Sequence, residues 1–552
     1  MVYKRLIDAG AKDFSVDIFE ATKNLGSGMP YSHLGAGLEH VTNVSSDELP
    51  DLLKPLAEWV KALPVATLDQ FGIEREDFHE KKVLPRLLFG QYLSAQFHDA
   101  INKGNQLGVN TQVHYETAVI DIEGNNGAGK VRIKKDDGQS IEYDFAIICS
   151  GHNWVGKREG EVDGYFDSPY PPAKLSRQFN HDVIVRGSSL TAFDAIRTIA
   201  RHNGHFEKIA DRLVFQVDEE TKDFRVIMHS RHGMLPAVRV HMDEPHAAGS
   251  PLIDDEKIAE NIQENGGFLQ LDFLFEHGFK LPLKESDPKF YEQIKDMNME
   301  AFVESMMSHR ESHDPFDLFR KEYDEAKKSI REEKPVYWKE MLSALSFAMN
   351  YPAKYLSAED MLRLQKTLMP LISVVIAFAP QESCEELMAL NDAGRLEIVA
   401  DGDSSEVEIL DGKIIYSYQD ENGNQEKVEC KTFIDCIGQK HLSIDAFPFQ
   451  HLVEEGKVSP ARLKFRSSES AKKLLVNDGK NIEGAGDDYY LRVPGLKISD
   501  NFQVVDHAGH ASESIYLMAV PYMGGFNPDY SGLDFCEHAS ELIVGNILKP
   551  NN

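Results

Sequence analysis

The hydrophobic positions form short apolar runs that alternate with stretches of helical spacing. Runs at 14–19, 183–185 and 433–437 predict buried strands, and the apolar spacing at 191–200 predicts an amphipathic helix. Strands that alternate with helices are typical of an α/β fold. The pattern changes at 285–370, where helix-forming residues are dense and β-branched residues are few. We predict a helical insertion there.

The composition fits a folded protein of more than one domain. The chain has 552 residues, 42% of them hydrophobic, and a formal net charge of −31. A strongly negative charge argues against nonspecific binding to nucleic acid or anionic membranes. The apolar stretch at 368–380 is shorter than the roughly 20 residues that a membrane span needs. Since no signal segment opens the chain, we expect a cytoplasmic protein.

Neither the cysteines nor the histidines have the spacing of metal ligands. The five cysteines are scattered without a C-x-x-C pair, which disfavours a redox disulfide and a zinc site. His229, His232, His241 and His246 are close in sequence but share no helix face, so we predict no metal site. Cys149 belongs to an apolar strand, and we expect it to be a core residue.

The most informative motif is a strand, a glycine-containing turn and a helix that begin at residue 183. The turn and the first helical residues are Gly187, Ser188, Ser189, Leu190 and Thr191. Such a unit directs free backbone N–H groups and the positive end of a helix at a pyrophosphate. It therefore predicts a Rossmann-like dinucleotide-binding domain. Of the glycines in G-x-G-x-x-G only the first is present, so a tight turn without a ligand is the alternative.

A basic residue follows the next predicted strand of this domain. That strand, at 225–230, ends with Ser230, and Arg231 comes directly after it. A cation at this point can pair with the 2′-phosphate of NADPH, whereas an acidic residue suits the ribose hydroxyl of NADH. We predict that Ser230 and Arg231 bind NADPH. The alternative is a solvated arginine in a loop.

An acidic residue ends the first predicted strand. Glu20 follows the run at 14–19, where such a domain hydrogen-bonds the ribose of an adenosine. The Gly-rich loop that should precede it, and the strand before that loop, are missing from the sequence. A parallel sheet without its central strand would expose apolar edges. We therefore expect the native protein to carry about 15 to 20 further residues before Met1.

Several short motifs follow one another in the order of a known family and cover nearly the whole chain. They are IFE at 18–20, LGSGMPYS at 25–32, VTNVS at 41–45, LPRLLFGQY at 84–92, IICSGH at 147–152, SPYP at 168–171, GSSLTAFD at 187–194, SRHGMLP at 230–236 and FIDCIG at 433–438. In these the chain resembles FAD/NAD(P)-binding proteins with two dinucleotide-binding domains, distantly related to flavin-dependent N-hydroxylating monooxygenases.

The resemblance implies which residues lie near FAD. Gly28 and Asn43 would approach the flavin, and Arg86 would lie on the FAD side of the cleft, although an ion pair is an alternative for Arg86. Gly151 would mark the crossing where the chain leaves the FAD-binding domain.

The resemblance also implies a contact at the start of a C-terminal helix, predicted at 535–547. Backbone from Asn527 through Pro528 to Gly532 would face the flavin pyrimidine ring, where a helix N-terminus stabilises negative charge. A surface loop is the alternative for this segment.

These implications divide the chain into five parts. Residues 1–175 are the first part of the FAD-binding domain, 180–284 the first part of the NAD(P)-binding domain, 285–370 the helical insertion, 371–445 the second part of the NAD(P)-binding domain, and 446–552 the C-terminal part of the FAD-binding domain.

Two classes of function follow. The first is an FAD-dependent oxidoreductase that takes hydride from NADPH or NADH and acts on a small molecule or another electron acceptor, with monooxygenase as one form. The second is a non-catalytic nucleotide-binding sensor or scaffold, which the missing first loop and the incomplete second motif favour. We expect no nucleic-acid or membrane partner. The sequence is compatible with a homodimer. It identifies no catalytic side chain.

Overall fold

The computed structural model describes residues 1–10, 14–50, 52–79, 81–124, 129–154, 156, 158–243, 252–528 and 532–549. These residues form a mixed α/β fold with a helical region in its middle, which confirms the predicted fold class. None of the helices in the described ranges is long and apolar enough to cross a membrane.

The N-terminal part combines one long helix with short strands. Its elements are α1 (Val2–Asp8), β1 (Ser15–Phe19), β2 (Val41–Ser45), α2 (Leu56–Lys61), α3 (Val65–Gln70), β3 (Val83–Pro85), α4 (Arg86–Gln106), β4 (Asn110–His114), β5 (Val119–Gly124), β6 (Val131–Lys135), β7 (Ser140–Tyr143) and β8 (Ala146–Ile148). β1 pairs in parallel with β4, β2 pairs with β3, and β5, β6 and β7 form an antiparallel sheet. Helix α4 buries Leu88, Phe89 and Tyr92 in one apolar cluster with α2 and α3.

The second α/β part of the chain, which we term the nicotinamide half after the cofactor predicted for it, contains a parallel sheet. Its elements before the helical region are β9 (Tyr165–Phe166), β10 (Asp182–Arg186), α5 (Leu190–Arg201), β11 (Gly204–Ile209), β12 (Arg212–Val217) and β13 (Arg225–Ser230). Those after it are α15 (Gln381–Asp392), β14 (Leu396–Ala400), β15 (Glu406–Leu410), β16 (Lys413–Gln419), β17 (Gln425–Cys430) and β18 (Thr432–Asp435). The sheet has the order β14-β13-β10-β18-β9, and every pairing in it is parallel.

The central strand β10 explains why its sequence is a continuous apolar run. Val183, Ile184 and Val185 are all buried, because helices cover one face of the sheet and the antiparallel sheet of β15, β16 and β17 covers the other. A strand buried on both faces has no polar alternation. The buried strand ends at Arg186, which is partly exposed, and leads directly into the Gly187 turn.

The helical region extends beyond the predicted 285–370. Its helices are α6 (Asp255–Glu264), α7 (Leu271–Phe275), α8 (Leu281–Ser286), α9 (Pro288–Ile294), α10 (Met299–Glu311), α11 (Pro315–Glu332), α12 (Tyr337–Ala348), α13 (Ala358–Arg363) and α14 (Met369–Val375). Two π-helical segments, Glu276–Lys280 and Leu364–Leu368, continue α7 and α13. Glycines at 266, 267 and 278 interrupt the helix-forming pattern before residue 285. The sequence pattern therefore does not indicate where this helical region begins.

The C-terminal part returns to the N-terminal part. Its elements are α16 (Gln450–Glu454), β19 (Pro460–Lys464), α17 (Ser468–Asp478), β20 (Ile482–Ala485), β21 (Asp488–Leu496), β22 (Gln503–Val505), β23 (Ala511–Leu517) and α18 (Gly532–Ile547). β23 pairs in parallel with β8, and α18 packs against α1, with Arg5 2.5 Å from Glu537. The segment 484–488 contains the turn of a hairpin between β20 and β21.

Candidate functional site

The turn after β10 requires a glycine. Gly187 has a φ of +120°, and a Cβ there would lie 2.5 Å from the carbonyl oxygen of Cys436, which follows β18. The Gly187 N–H donates a hydrogen bond of 2.7 Å to the carbonyl of His229 in β13. The turn is therefore held between the carboxyl ends of the two strands that flank β10.

Helix α5 begins directly after this turn with an uncapped end. Ser189 is its N-cap residue, but within the described residues its side chain caps no amide. Ser188 Oγ instead donates to the carbonyl of Met234 at 2.6 Å. The amides of Leu190 and Thr191 lack intrahelical partners, as at the start of every helix, and the dipole makes this end positive. A pyrophosphate fits here, so the residues present suit the predicted nicotinamide dinucleotide.

The end of β13 contributes polar groups at the same edge of the sheet. Ser230 Oγ is buried and has no hydrogen-bond partner among the described residues, and Arg231 is exposed. The carbonyl of Ser230 accepts from the Asp401 N–H at 3.0 Å. A buried hydroxyl that lacks a partner and an exposed guanidinium suit a ligand with hydroxyl and phosphate groups. Binding of NADPH by Ser230 and Arg231 stays a prediction.

His229 is buried beneath this edge, between two tyrosine rings. Its ring centroid lies 5.0 Å from that of Tyr416 and 4.8 Å from that of Tyr418. Tyr416 donates its hydroxyl hydrogen to Asp401 at 2.5 Å. Burial lowers the pKa of His229 to about 4, although Asp401 acts in the opposite direction. The ring is therefore neutral near pH 7.

Arg86 forms a buried ion pair that joins the two dinucleotide-binding regions. Its guanidinium donates to Asp194 of helix α5 at 2.5 Å and to the carbonyl of Val41 at 2.9 Å. Tyr170 donates to the same oxygen of Asp194 at 2.6 Å. Burial opposes the charge of Asp194, but Arg86 keeps the pKa of its carboxyl below the usual range. The ion-pair alternative for Arg86 is thus observed, while its contact with FAD stays a prediction.

A second set of bonds links the same surfaces. The His40 ring accepts from the Gly37 N–H on Nδ1, at 2.9 Å, so Nε2 carries the hydrogen. Nε2 lies 3.1 Å from both the Asp194 carbonyl and Thr198 Oγ1, and Thr198 donates to Glu39. Burial lowers the pKa of His40, so the ring stays neutral.

Arg239 makes a further junction with β2. Its guanidinium contacts the carbonyl of Asn43, Ser45 Oγ and Glu48, and it is 8% exposed. The side chain of Asn43 is exposed, while its backbone is fixed by this contact. The predicted flavin-side residue Asn43 is thereby tied to the nicotinamide half.

The other N-terminal candidates lie at turns. Glu20 Oε1 accepts from the N–H and the hydroxyl of Thr22, both at 2.8 Å. Gly28 and Gly151 have φ of +61° and +68°. A Cβ on Gly151 would meet no described atom within 4 Å, and one on Gly28 only Pro30 at 3.7 Å. Open space beside these backbones suits the close approach of a large cofactor.

The C-terminal candidates stand at the start of α18. Asn527 is buried and its N–H donates to the Met523 carbonyl at 3.0 Å, whereas Pro528 is half-buried. Gly532 is the first residue of α18, with a φ of +79°. The rest of the predicted contact, at 529–531, lies outside the described residues. Leu533 packs in the α4 cluster with Tyr31, so this helix start lies close to the loop that follows Gly28.

The crossing between domains brings further groups together. His152 Nδ1 lies 2.5 Å from Gln439 Oε1, and Asn153 donates to the Tyr522 hydroxyl at 3.2 Å. A cavity of about 340 Å³ lies beside the crossing, lined by Trp154, Gly156, Glu159, Asp167, Ser168, Tyr170 and Lys174. Cys149, expected in the core, lies one residue beyond β8 and is exposed.

Sequence reasoning missed the residues that join the domains. Asp194, Thr198, His40 and Arg239 are polar residues in or beside apolar segments, and nothing in one sequence pairs them. The signal available was the spacing of Asp194 and Thr198, which places both on one face of α5. In the described part of the chain, no group of three or more His, Cys, Asp or Glu residues could hold a metal ion. His246, one of the four histidines considered, lies outside that part.

Two family models match the chain. Residues 1–153 match the family described as FAD-NAD(P)-binding, and residues 254–376 match the YdhS-like middle domain. The relative YdhS of Escherichia coli (strain K12), named an uncharacterized protein, is 26% identical over 544 residues, covering 97% of this chain and 93% of that protein.

The solved structures that the chain resembles include one N-hydroxylase and two monooxygenases. The ornithine N-hydroxylase of Kutzneria sp. 744 has 11% identity and a TM-score of 0.45, and it covers 99% of this chain and 95% of its own. The L-lysine 6-monooxygenase of Pseudomonas syringae has 12% identity and a TM-score of 0.47 at the same coverage. Cyclohexanone monooxygenase has 12% identity and a TM-score of 0.36 over 84% of this chain and 78% of its own.

The matches agree with the domain order seen in the fold. The 1–153 match ends within the crossing at Gly151 to Trp154, and the 254–376 match coincides with the helices from α6 to α14. The description of the family that matches residues 1–153 names both predicted cofactor classes, FAD and a nicotinamide dinucleotide. Residues 1–153 of this chain are therefore similar to the FAD-NAD(P)-binding family, and residues 254–376 are similar to the middle domain of YdhS-like proteins.

Proposed function

We propose that this protein is a flavin-dependent oxidoreductase that takes hydride from NADPH and delivers the electrons to a small molecule or another acceptor. The observation that carries the proposal is the uncapped start of α5, which is joined by buried hydrogen bonds to the FAD-NAD(P)-binding domain. Two dinucleotide sites on adjoining surfaces are what such an enzyme needs. When bound, the nicotinamide supplies a hydride and the flavin accepts it.

The residues of the chain have separate roles in this proposal. The amides of Leu190 and Thr191 would bind the pyrophosphate of NADPH, and Arg231 its 2′-phosphate. Gly187 would let the backbone approach the ligand closely, since the position tolerates no side chain. FAD would be held by the N-terminal domain near Glu20, Gly28, Asn43, Arg86 and Gly151 and by the 527–532 segment.

The remaining site is for the second substrate. The cavity beside Tyr170 has a volume of about 340 Å³, which suits a small molecule or part of one. It adjoins Asp194 through the Tyr170 hydroxyl, and Asp194 lies on the helix that follows the Gly187 turn. The cavity is therefore linked through Tyr170 and Asp194 to the helix whose start is assigned to NADPH, and we place the small-molecule substrate there.

The test is a spectrum followed by anaerobic reduction. We expect purified protein to show bands near about 370 and 450 nm, typical of oxidised flavin, and the 450 nm band to bleach when NADPH is added without oxygen. Protein that binds flavin and NADPH but shows no bleaching with NADPH or NADH would support the sensor or scaffold reading instead. Protein that takes up no flavin, even when FAD is supplied, would contradict the proposal itself.

Ser189→Asp is the matched variant for the nicotinamide site. Aspartate caps a helix at least as well as serine, so the variant should fold with unchanged thermal stability. Its negative charge at the start of α5 should repel a pyrophosphate and raise the KM for NADPH by roughly 10-fold or more, leaving flavin content unchanged. Ser308→Asp, in the last turn of α10, is the control and should leave the KM for NADPH unaltered.

A further inference from the structure

The face of α5 that turns toward the N-terminal domain is polar and buried. Asp194 and Thr198 stand four residues apart on this helix, and both are at most 5% exposed. They bond to Arg86, His40 and Glu39 of the N-terminal domain. Polar side chains that are removed from water and fully bonded fix one arrangement of the surfaces that they join.

Other side chains of the same helix bond within the nicotinamide half. Arg197 donates to Glu386 of α15 at 2.8 and 3.1 Å, and Arg201 reaches Glu386 at 2.6 Å. Helix α5 is therefore anchored by two sets of partners. One set belongs to its own domain, and the other belongs to the domain that matches the FAD-NAD(P)-binding family.

Asp194 occupies the central point of the junction. One carboxylate oxygen accepts hydrogen bonds from Arg86 at 2.5 Å and from the Tyr170 hydroxyl at 2.6 Å. The backbone carbonyl of the same residue accepts a hydrogen bond from His40 at 3.1 Å. Arg86 is itself fixed, because its Nε donates to Val41 and its backbone N–H donates to the His40 carbonyl at 2.8 Å. Asp194 lies less than two helical turns beyond Gly187. A shift of this carboxylate would therefore move the turn assigned to NADPH relative to Asn43 and Arg86.

We infer that Asp194 is a positioning residue that sets the approach of the nicotinamide to the flavin by fixing α5 on the N-terminal domain. The inference rests on the proposed function. Asp194 is not assigned a contact with either cofactor. It affects their placement through Arg86, His40 and helix α5. Hydride transfer is sensitive to such placement, since a displacement of about 1 Å can lower a rate by 10²-fold.

The experiment is stopped-flow reduction of the flavin by NADPH under anaerobic conditions, with the limiting rate and the NADPH dissociation constant measured separately. For Asp194→Asn we expect the limiting rate to fall by roughly 10- to 100-fold, while the dissociation constant changes by less than about threefold. Asp194→Glu keeps the charge but lengthens the side chain by one methylene. This variant should keep most of the thermal stability, but NADPH should still reduce its flavin slowly.

Thr198→Val tests the junction without disturbing the buried ion pair, in case Asp194→Asn does not fold. It keeps the shape of the side chain, loses the bonds to Glu39 and His40, and should slow reduction by roughly 3- to 10-fold. Glu386→Gln is the control, because Glu386 bonds to Arg197 and Arg201 of α5 but belongs to the same domain as that helix. It should lower the melting temperature without changing the limiting rate of flavin reduction.

The outcomes separate this inference from the proposed function. If the unaltered protein is reduced by neither NADPH nor NADH, the proposed function fails. If it is reduced and the Asp194 and Thr198 variants match its limiting rate within about twofold, the function stands and the positioning role is overturned. A rise in the dissociation constant alone, with an unchanged limiting rate, also overturns it, because Asp194 would then serve binding.

Discussion

Arg231 and His229 are separated by a single residue, yet one is exposed and the other is enclosed by protein. Arg231 is free to meet a charged ligand at the surface, whereas the carbonyl of His229 holds the Gly187 turn from inside. The two positions therefore call for different experiments. Substitution of Arg231 should change ligand choice, and substitution of His229 should change the response of stability to pH.

Arg231→Ala should change the preference between nicotinamide cofactors. Loss of a charge-assisted bond to the 2′-phosphate should raise the KM for NADPH by roughly 10- to 100-fold and leave the KM for NADH nearly unchanged. Steady-state kinetics with both cofactors measure this ratio. Arg331→Ala, which removes an exposed arginine at the end of α11, is the control. Equal effects on NADPH and NADH would contradict the assignment of Arg231.

His229 should make the protein less stable below neutral pH. Burial holds its folded-state pKa at about 4, whereas an unfolded histidine takes up its proton near 6.5. Between those values the unfolded chain binds more protons, so stability falls as pH drops through this window, by about 3 kcal/mol in total.

The measurement for His229 is the melting temperature at pH 7.5 and at pH 5. His229→Phe keeps an aromatic ring between Tyr416 and Tyr418 and should reduce the difference between the two pH values. His33→Gln changes an exposed ring and should keep the difference of the unaltered protein. If His229→Phe retains the full difference, the buried ring is not its source.

At the scale of elements, the positions of strands and helices were predicted most accurately where a single physical requirement determines the local structure. The strands β10 and β13 and the helix α5 are apolar enough, in the right period, to be located within one or two residues. Gly187 could also be predicted, because the turn tolerates no Cβ.

Other elements gave no comparable signal. The hairpin of β11 and β12 was missed because residues 204–217 alternate weakly and mix charged with apolar residues. Much of the candidate site was hidden for a different reason. Contacts such as Arg86 with Asp194, 108 residues apart, depend on how the domains dock, and single-sequence periodicity carries no information about docking.

The helical region has a buried charge cluster that should control its stability. Glu322 of α11 bonds to Arg310 at 2.8 Å and to Lys339 at 3.3 Å, and all three side chains are buried. Burial opposes the charge of Glu322, yet Lys339 and Arg310 keep the pKa of its carboxyl below the usual range. The cluster therefore depends on the carboxylate, because both cations would otherwise be left buried without their main partner.

Glu322→Gln should destabilise the protein by about 3–5 kcal/mol, since it leaves two cations in a buried site. Differential scanning calorimetry would record a lower melting temperature. Glu325→Gln is the matched control, because Glu325 also bonds to Lys339, at 2.9 Å, but is half exposed at 49%. A similar loss of stability in both variants would show that burial of Glu322 is not the cause.

On the scale of the whole molecule, buried contacts join each part to another. β8 pairs with β23, which joins the N-terminal and C-terminal parts. One apolar cluster contains residues of the helical region and of the C-terminal part. The nicotinamide half is joined to the N-terminal part by Asp194 and, independently, by Arg239. Buried contacts of this kind couple the unfolding of the parts that they join.

We therefore expect one cooperative thermal transition for the unaltered protein, and Arg239→Met should divide it. The variant leaves Glu48 without its buried partner and weakens one junction, so the nicotinamide half should melt separately from the N-terminal part. Calorimetry with flavin absorbance recorded in parallel distinguishes the two events. Arg225→Met is the control, since Arg225 pairs with Asp182 at the surface of a single sheet. A single transition at an unchanged temperature in Arg239→Met would mean that the Asp194 junction alone couples the two dinucleotide-binding regions.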